Sequence, residues 1–370
     1  MKLNSLQQKI LTRLESLPTG SQDWANAGII ERGKFTISQT VTGILRSLRR
    51  SEPMIWDPWI LKDDNVYRMF YLKGLEGQNP WWTVSNICGA ISTDMEQWQD
   101  LGTILEPEPA NNWESGRVCA GCTYKEDGIY YLFYSAGGKQ EPDLKNEAIG
   151  LATSNDGWNF SRASNNYLLK PEDTDFWYRR SQWTGHFHWR DPYIFKDAKT
   201  SKYYMFICAS SRAVGNFQGC IGLAVADNIS GPYKLLPPAI EAPNNAVDWP
   251  YYHMERPQVI YKDGKYHLFF SCFKMLMNQN WLQKSPLKKL TNSSLYWYVS
   301  DRVTGPYKPA NNDFIVAGSE KTGMYGTNFL QVSTEAEKFI AYGWYHRLHA
   351  LAVSQAFQVH WQDTISITAL

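Results

Sequence analysis

The stretch "PYIFKDAKTSKYYMF", residues 192–206, is an apolar run, a polar turn and a second apolar run. Aromatic and β-branched residues fill the runs, and Lys, Asp, Thr and Ser fill the turn, which is the chemistry of a β-hairpin. The second run belongs to a repeat of the form Tyr/Phe, any residue, apolar, aromatic. It recurs as "YRMF" from Tyr67, "YYLF" from Tyr130, "YYMF" from Tyr203, "YHLF" from Tyr266 and "FIAY" from Phe339, spaced alternately by 63 and 73 residues. Polar turns precede the copies: "KDDN", "KEDG", "KDAKTSK", "KDGK" and "STEAEK". A third strand-like segment follows in each unit, as in "CGAISTD" (88–94) and "IGLAVADN" (221–228), then a weaker fourth, as in "GPYKLL" (231–236). Four short strands in a unit of roughly 60–70 residues, repeated in series, is the pattern of propeller blades. The expected fold is all-β, a five-bladed β-propeller over residues 51–370. Residues 1–50 are expected to form a short N-terminal helix and a lead-in strand. Leu3, Leu6, Ile10, Leu14 and Leu17 make one helical stripe, read as packing on the propeller's outside, and "KFTISQTV" (34–41) is a candidate edge strand closing the ring.

Charge excludes some functions. The chain has 37 Lys and Arg against 36 Asp and Glu, a net charge of +1, so no basic excess points to nucleic acid. No stretch approaches the ~18 apolar residues of a membrane span. The opening "MKLNSLQQKILTRLESL" lacks the apolar core of a secretion signal, so a cytoplasmic protein without a membrane segment is expected. Of six cysteines only Cys119 and Cys122 lie close together, with no second pair, which argues against a zinc site. No glycine-rich phosphate loop stands between a strand and a helix, so neither a metal nor a cofactor is expected. The 16 Trp and 22 Tyr supply flat apolar faces with a polar handle, suited to all-β cores and to sugar clefts.

The acids carry the chemistry. Ten to twelve residues ahead of the aromatic repeat lie Asp57 in blade I, Asp191 in blade III and Glu255 in blade IV. Counted from the repeat, the three share one register at the start of a blade's first strand. In a propeller those strands line the axis, so the acids are expected to converge at one end of one funnel. Crowded carboxylates repel and gain the fold no stability; their pKa values separate, which acid–base work requires. Trp56, Trp59, Trp189, Arg190 and Arg256 flank them. Two carboxyls across a glycosidic bond are the apparatus of glycoside hydrolysis, so the expected partner is a small carbohydrate.

The motifs "IWDPWI" (55–60), "WRDPYIF" (189–195) and "MERPQVIYKDGKYHLFF" (254–270) resemble the three acidic motifs of the β-fructosidase superfamily. The nearest likeness is to glycoside hydrolase family 68, the levansucrases, inulosucrases and some β-fructofuranosidases. "LYWYVSDRVTGPYKPAN" (295–311) and "NWESGRVCAGCTYKEDGIYYLFYS" (112–135) are similar to further segments of that family. The resemblance implies a retaining hydrolase or fructosyltransferase acting on β-fructofuranosides such as sucrose. It implies Asp57 as nucleophile, Asp191 as transition-state stabiliser and Glu255 as general acid/base. It places Trp56, Trp113, Arg190 and Tyr325 around the sugar; beside the acids, Arg190 and Arg256 are expected to fix hydroxyls or set the carboxylate pKa values, and His253 is a further candidate sugar contact. His253 stands where the family usually has a second acid two residues before the acid/base, and "SCFKMLMNQN" (271–280) offers Lys274 where the family has an arginine. These departures fall on the leaving-group side. Two other readings share the sequence: an inverting arabinanase- or xylosidase-like furanosidase of the family 43 type, and a sugar-binding propeller without glycosidase activity.

Overall fold

The computed structural model describes residues 54–74, 81–285, 289–334, 336–347 and 350–369. The proposed N-terminal helix and the candidate closing strand 34–41 lie outside them. Five antiparallel sheets follow one another in chain order. Blade I is β1 (Met54–Asp63), β2 (Val66–Gly74), β3 (Asn86–Ser92) and β4 (Gln99–Leu105). Blade II is β5 (Arg117–Glu126), β6 (Ile129–Gly137), β7 (Ala148–Ser154) and β8 (Ser161–Arg162). Blade III is β9 (Trp189–Lys196), β10 (Tyr203–Ser210), β11 (Gly219–Ala226) and β12 (Lys234–Ile240). Blade IV is β13 (Glu255–Lys262), β14 (Lys265–Ser271), β15 (Leu295–Ser300) and β16 (Lys308–Pro309). Blade V is β17 (Met324–Ser333), β18 (Lys338–Arg347), β19 (Ala350–Val353), β20 (Phe357–Trp361) and β21 (Ile365–Ala369), its third strand divided into β19 and β20, which both pair with β18. The first strands touch in sequence, β1 to β5, β5 to β9, β9 to β13, β13 to β17 and β17 back to β1, so the ring is closed. The fold is a five-bladed β-propeller, and the α-helix among the described residues is the short α1 (Gln279–Lys284).

The repeated aromatic strand is the second strand of every blade. It reads as an unbroken apolar run because it is buried on both faces. In β10, Tyr203, Met205, Ile207 and Ala209 face blade II, whereas Tyr204 and Phe206 face blade IV. The core is thus a set of layers between neighbouring blades. The tyrosine that opens the repeat has a second duty. Its hydroxyl donates to an acid at the end of the preceding blade's first strand: Tyr130 to Asp63 at 2.5 Å, Tyr203 to Glu126 at 2.5 Å and Tyr266 to Asp197 at 2.6 Å. Blade V opens its repeat with Phe339, which has no hydroxyl. Its neighbours are joined instead by Lys262–Glu337 at 2.6 Å and by Lys62 donating to the Val332 carbonyl at 2.6 Å, contacts at the exposed rim.

Candidate active site

Each inner strand carries a one-residue bulge near its start. Pairing with the second strand runs to Trp56, Cys119, Arg190, Glu255 and Tyr325, and resumes at Trp59, Gly121, Tyr193, Gln258 and Asn328. Proline follows the first bulged residue in three blades, as Pro58, Pro192 and Pro257. Proline cannot donate to the ladder, so a bulge is where a strand accommodates it. In four blades the first bulged residue has a left-handed backbone: Asp57 (φ 45°), Asp191 (φ 55°), Arg256 (φ 53°) and Gly326 (φ 60°). That conformation costs an ordinary residue roughly 1–2 kcal/mol and re-aims its side chain.

The bulges correct the shared register. Asp57 and Asp191 occupy the strained position, but Arg256 holds it in blade IV. Glu255 lies one residue earlier, level with Trp56, Arg190 and Tyr325. The three acids nevertheless meet at one end of the axis, and the charges of Asp191 and Glu255 both act on Asp57. Asp191 is tied down by the Arg256 amide, which donates to its Oδ2 at 3.0 Å.

Arg190 organises the acid/base side. A guanidinium has five N–H donors and no acceptor. Nε and Nη2 donate to Glu255 Oε1 at 3.3 and 2.8 Å, Nη1 donates to Glu147 Oε2 at 2.9 Å and to His188 Nδ1 at 2.5 Å, and Nη2 donates to His253 Nδ1 at 3.1 Å. All five donors therefore face protein acceptors. Both histidines must present Nδ1 as a lone pair, which places each ring proton on Nε2. His253 Nε2 lies 3.2 Å from Glu255 Oε2, and the Tyr325 hydroxyl donates to the same oxygen.

Charge follows from this geometry. Burial, with Asp191 and Glu255 as like-charged neighbours, raises Asp57 to about 7 against the pull of Arg256 and its hydrogen-bonding neighbour Trp344. Burial and Glu255 raise Asp191 to about 6 against Arg190 and Arg256. Burial also pushes Glu255 up, but the His253 ring, Arg190 and the Tyr325 hydroxyl together bring it below the usual carboxylate value. His253 is lowered by burial to about 4, so it is neutral in neutral solution. At rest the cluster's proton sits with the aspartates, and Glu255 is the anion.

The other expected residues fall on both sides of the prediction. Trp56 is buried in the layer between blades I and II. Tyr325 reaches Glu255. Of the two roles expected for Arg256 the structure supports the charge-setting one: it is 4 % exposed, bonds inward to the Gly121 and Pro58 carbonyls at 3.3 and 3.0 Å and to Asn328 Oδ1 at 2.9 Å, and its charge lowers Asp57 and Asp191. It acts as a cationic floor beneath the aspartates. Trp113 stacks on Tyr134 with centroids 6.1 Å apart, donates to the Asn165 carbonyl at 3.0 Å and packs on the layer that contains Trp56, Tyr325 and Trp344. A cavity of about 590 Å³ continues along the axis on the other side of Arg256, lined by the later halves of the inner strands.

Glu147, His188, Gly326 and Trp344 belong to the site and were not foreseen. Glu147 is buried between Arg190 and Arg117, 3.4 Å from the latter. Despite burial, those two arginines hold it well below the usual carboxylate range. His188 had a readable signal, because it precedes Arg190 by two residues as His253 precedes Glu255. Gly326 lies so close to Asp57 that an added Cβ would stand 3.1 Å from Oδ1 and 2.9 Å from Trp344 Nε1. Among the described residues no group of three or more His, Cys, Asp or Glu is placed to hold a metal. Nor, among them, is any helix long and apolar enough to cross a membrane.

Comparison with known proteins agrees with this architecture. The model for glycosyl hydrolases family 43 matches residues 53–360. A levansucrase from Rahnella aquatilis is 28% identical over 209 residues, 49% of this chain and 44% of that protein. The chain spans less than half the length of the levansucrases it matches. Among solved structures, an inulosucrase from Halalkalicoccus jeotgali bound to kestose superposes with a TM-score of 0.64 at 20% identity, covering 86% of this chain and 87% of that one. Bacillus subtilis levansucrase gives 0.66 at 15% identity, covering 90% and 89%. The chain belongs to the glycosyl hydrolases of family 43.

Proposed function

We propose that the protein is a retaining β-fructosidase or fructosyltransferase acting on sucrose and related β-fructofuranosides. The observation that carries this reading is the pairing of two unlike carboxyls across one funnel end. Asp57 is crowded by acids, and Glu255 is held by Arg190 and Tyr325. The levansucrase relatives support the choice of a fructosyl donor. Asp57 attacks the anomeric carbon and forms a fructosyl ester; Glu255 gives a proton to the leaving oxygen and later takes one from water or a saccharide. Asp191, fixed by the Arg256 amide, accepts hydrogen bonds from sugar hydroxyls. The proton must reach Glu255 before bond cleavage. A sugar that draws Arg190 or Tyr325 toward its own hydroxyls removes what keeps Glu255 ionised, and the proton of the aspartates passes to it.

The test uses two donors. With sucrose, Asp57→Ala and Glu255→Ala are both expected to lose nearly all turnover. With β-fructosyl fluoride, whose leaving group needs no proton, Glu255→Ala keeps the first step and Asp57→Ala does not. The family 43 match favours a second reading, an inverting furanosidase in which Asp57 activates water. The anomer first released, read by NMR, separates the two, and an inverted product refutes the covalent route.

A further inference from the structure

From Glu255 a chain of rings leads outward to solvent. His253 neighbours Glu255, and the ring of Tyr252 lies 5.3 Å from that of His253 and edge-on to His188 at 5.1 Å. Trp183 stands edge-on to Tyr252 at 5.0 Å, with Phe217 at 5.9 Å behind it, and is 49 % exposed. The Tyr252 hydroxyl shares a 2.7 Å hydrogen bond with Thr184, which fixes the ring's orientation. On the other side of His188, His186 stacks at 5.5 Å and Trp82 meets His186 at 5.6 Å. This exposed indole, unlike a scattered surface aromatic, is continuous with the acid/base.

Resting on the fructosyl reading above, we propose that Trp183 and Tyr252 bind the sugar ring beyond the scissile bond. That ring is the glycosyl part of the leaving group and, in transfer, the accepting saccharide. The side is fixed by topology. Trp183 and Tyr252 lie in the segments leading into blades III and IV, next to Glu255, which serves the leaving oxygen; Trp82, at the far end of the ring chain, belongs with the nucleophile to blade I. The chemical class is fixed by charge. Glu147 and Glu255 together balance Arg117 and Arg190, and burial keeps His186, His188 and His253 below their ordinary pKa, so this set of groups carries no net charge to select an anionic sugar. A neutral ring stacked on an indole fits it.

The experiment compares Trp183→Ala and Trp183→Phe with the wild-type protein on sucrose and on β-fructosyl fluoride, whose leaving group is too small to reach the indole. Trp183→Ala is expected to lower the ratio of kcat/KM on sucrose to that on the fluoride about tenfold. It is also expected to lower the share of fructosyl groups passed to an added saccharide over water, and Trp183→Phe to restore most of both. A ratio within twofold of wild type, or an unmoved partition between saccharide and water, overturns the assignment. Turnover of neither donor by the wild-type protein overturns the fructosyl reading and this subsite with it.

Discussion

Replacing Asp57 with asparagine is expected to abolish activity and, near neutral pH, to stabilise the fold. The carboxyl is raised from 3.8 to about 7 by burial and by its acidic neighbours, so the folded state holds a proton that the unfolded chain releases. For an acid raised in the folded state, stability is fully present below the unfolded value and is lost as pH rises toward the folded one. A rise of about three pH units at 1.36 kcal/mol each sets an upper bound of about 4 kcal/mol. Sharing of the proton with Asp191 brings the expectation to about 2–4 kcal/mol. Asparagine keeps the shape and cannot ionise. The two proteins should therefore unfold alike near pH 4, and the variant should gain progressively up to pH 7 and hold its lead above it. Thermal midpoints followed by tryptophan fluorescence from pH 4 to 8 measure the gap. A gap independent of pH, or a variant less stable than wild type at pH 8, would refute the argument that crowding strains this site.

Glu147→Gln leaves Arg117 and Arg190 without their shared counter-charge, and breaking such a buried pair is expected to cost about 3–5 kcal/mol at pH 7. Because the native Glu147 value is depressed, that gap should close as the pH falls below about 4. In the same variant the unopposed Arg190 holds Glu255 more firmly ionised, so the basic limb of kcat/KM should move to lower pH; an unmoved limb would disconnect Glu147 from the chemistry. Gly326→Ala places a methyl against Asp57 and Trp344 at positive φ, and should lower kcat/KM ten- to a hundredfold while costing only about 1–2 kcal/mol in unfolding. Tyr266→Phe removes the hydroxyl on Asp197 and should cost about 1.5–3 kcal/mol in unfolding, read by denaturant titration, with KM for sucrose unchanged.

The blades were legible because one strand per blade must be apolar on both faces, and that leaves an uninterrupted aromatic signature in the chain. The acids were legible because a Pro-containing bulge writes its own short motif, as in "WDP", "RDP" and "ERP". Their register was not. The count from aromatic to acid mixes turn length with bulge position, and "KDAKTSK" is three residues longer than "KDGK". Glu147 was invisible for another reason. Its partner Arg190 lies 43 residues away, and no local pattern announces a contact made between blades. Arg190 itself was read as a sugar ligand by its motif, but only the side chains around it reveal that each of its donors already faces an acceptor.

The contacts between blades have a consequence for how the ring is closed. Blades I to IV are riveted in order by Tyr130, Tyr203 and Tyr266, while blade V, besides the lysine contacts at the rim, is joined by Gln258 bonding the Phe329 backbone, Arg256 bonding Asn328 and the Ile60 amide donating to the Tyr342 hydroxyl. Blade V is thus seated by the inner strands of both its neighbours. It also carries Tyr325, Gly326 and Trp344, the residues that steady Glu255 and Asp57. Catalysis in this protein is therefore tied to ring closure: the bonds that seat blade V and the groups that steady Glu255 and Asp57 sit on the same two strands, β17 and β18.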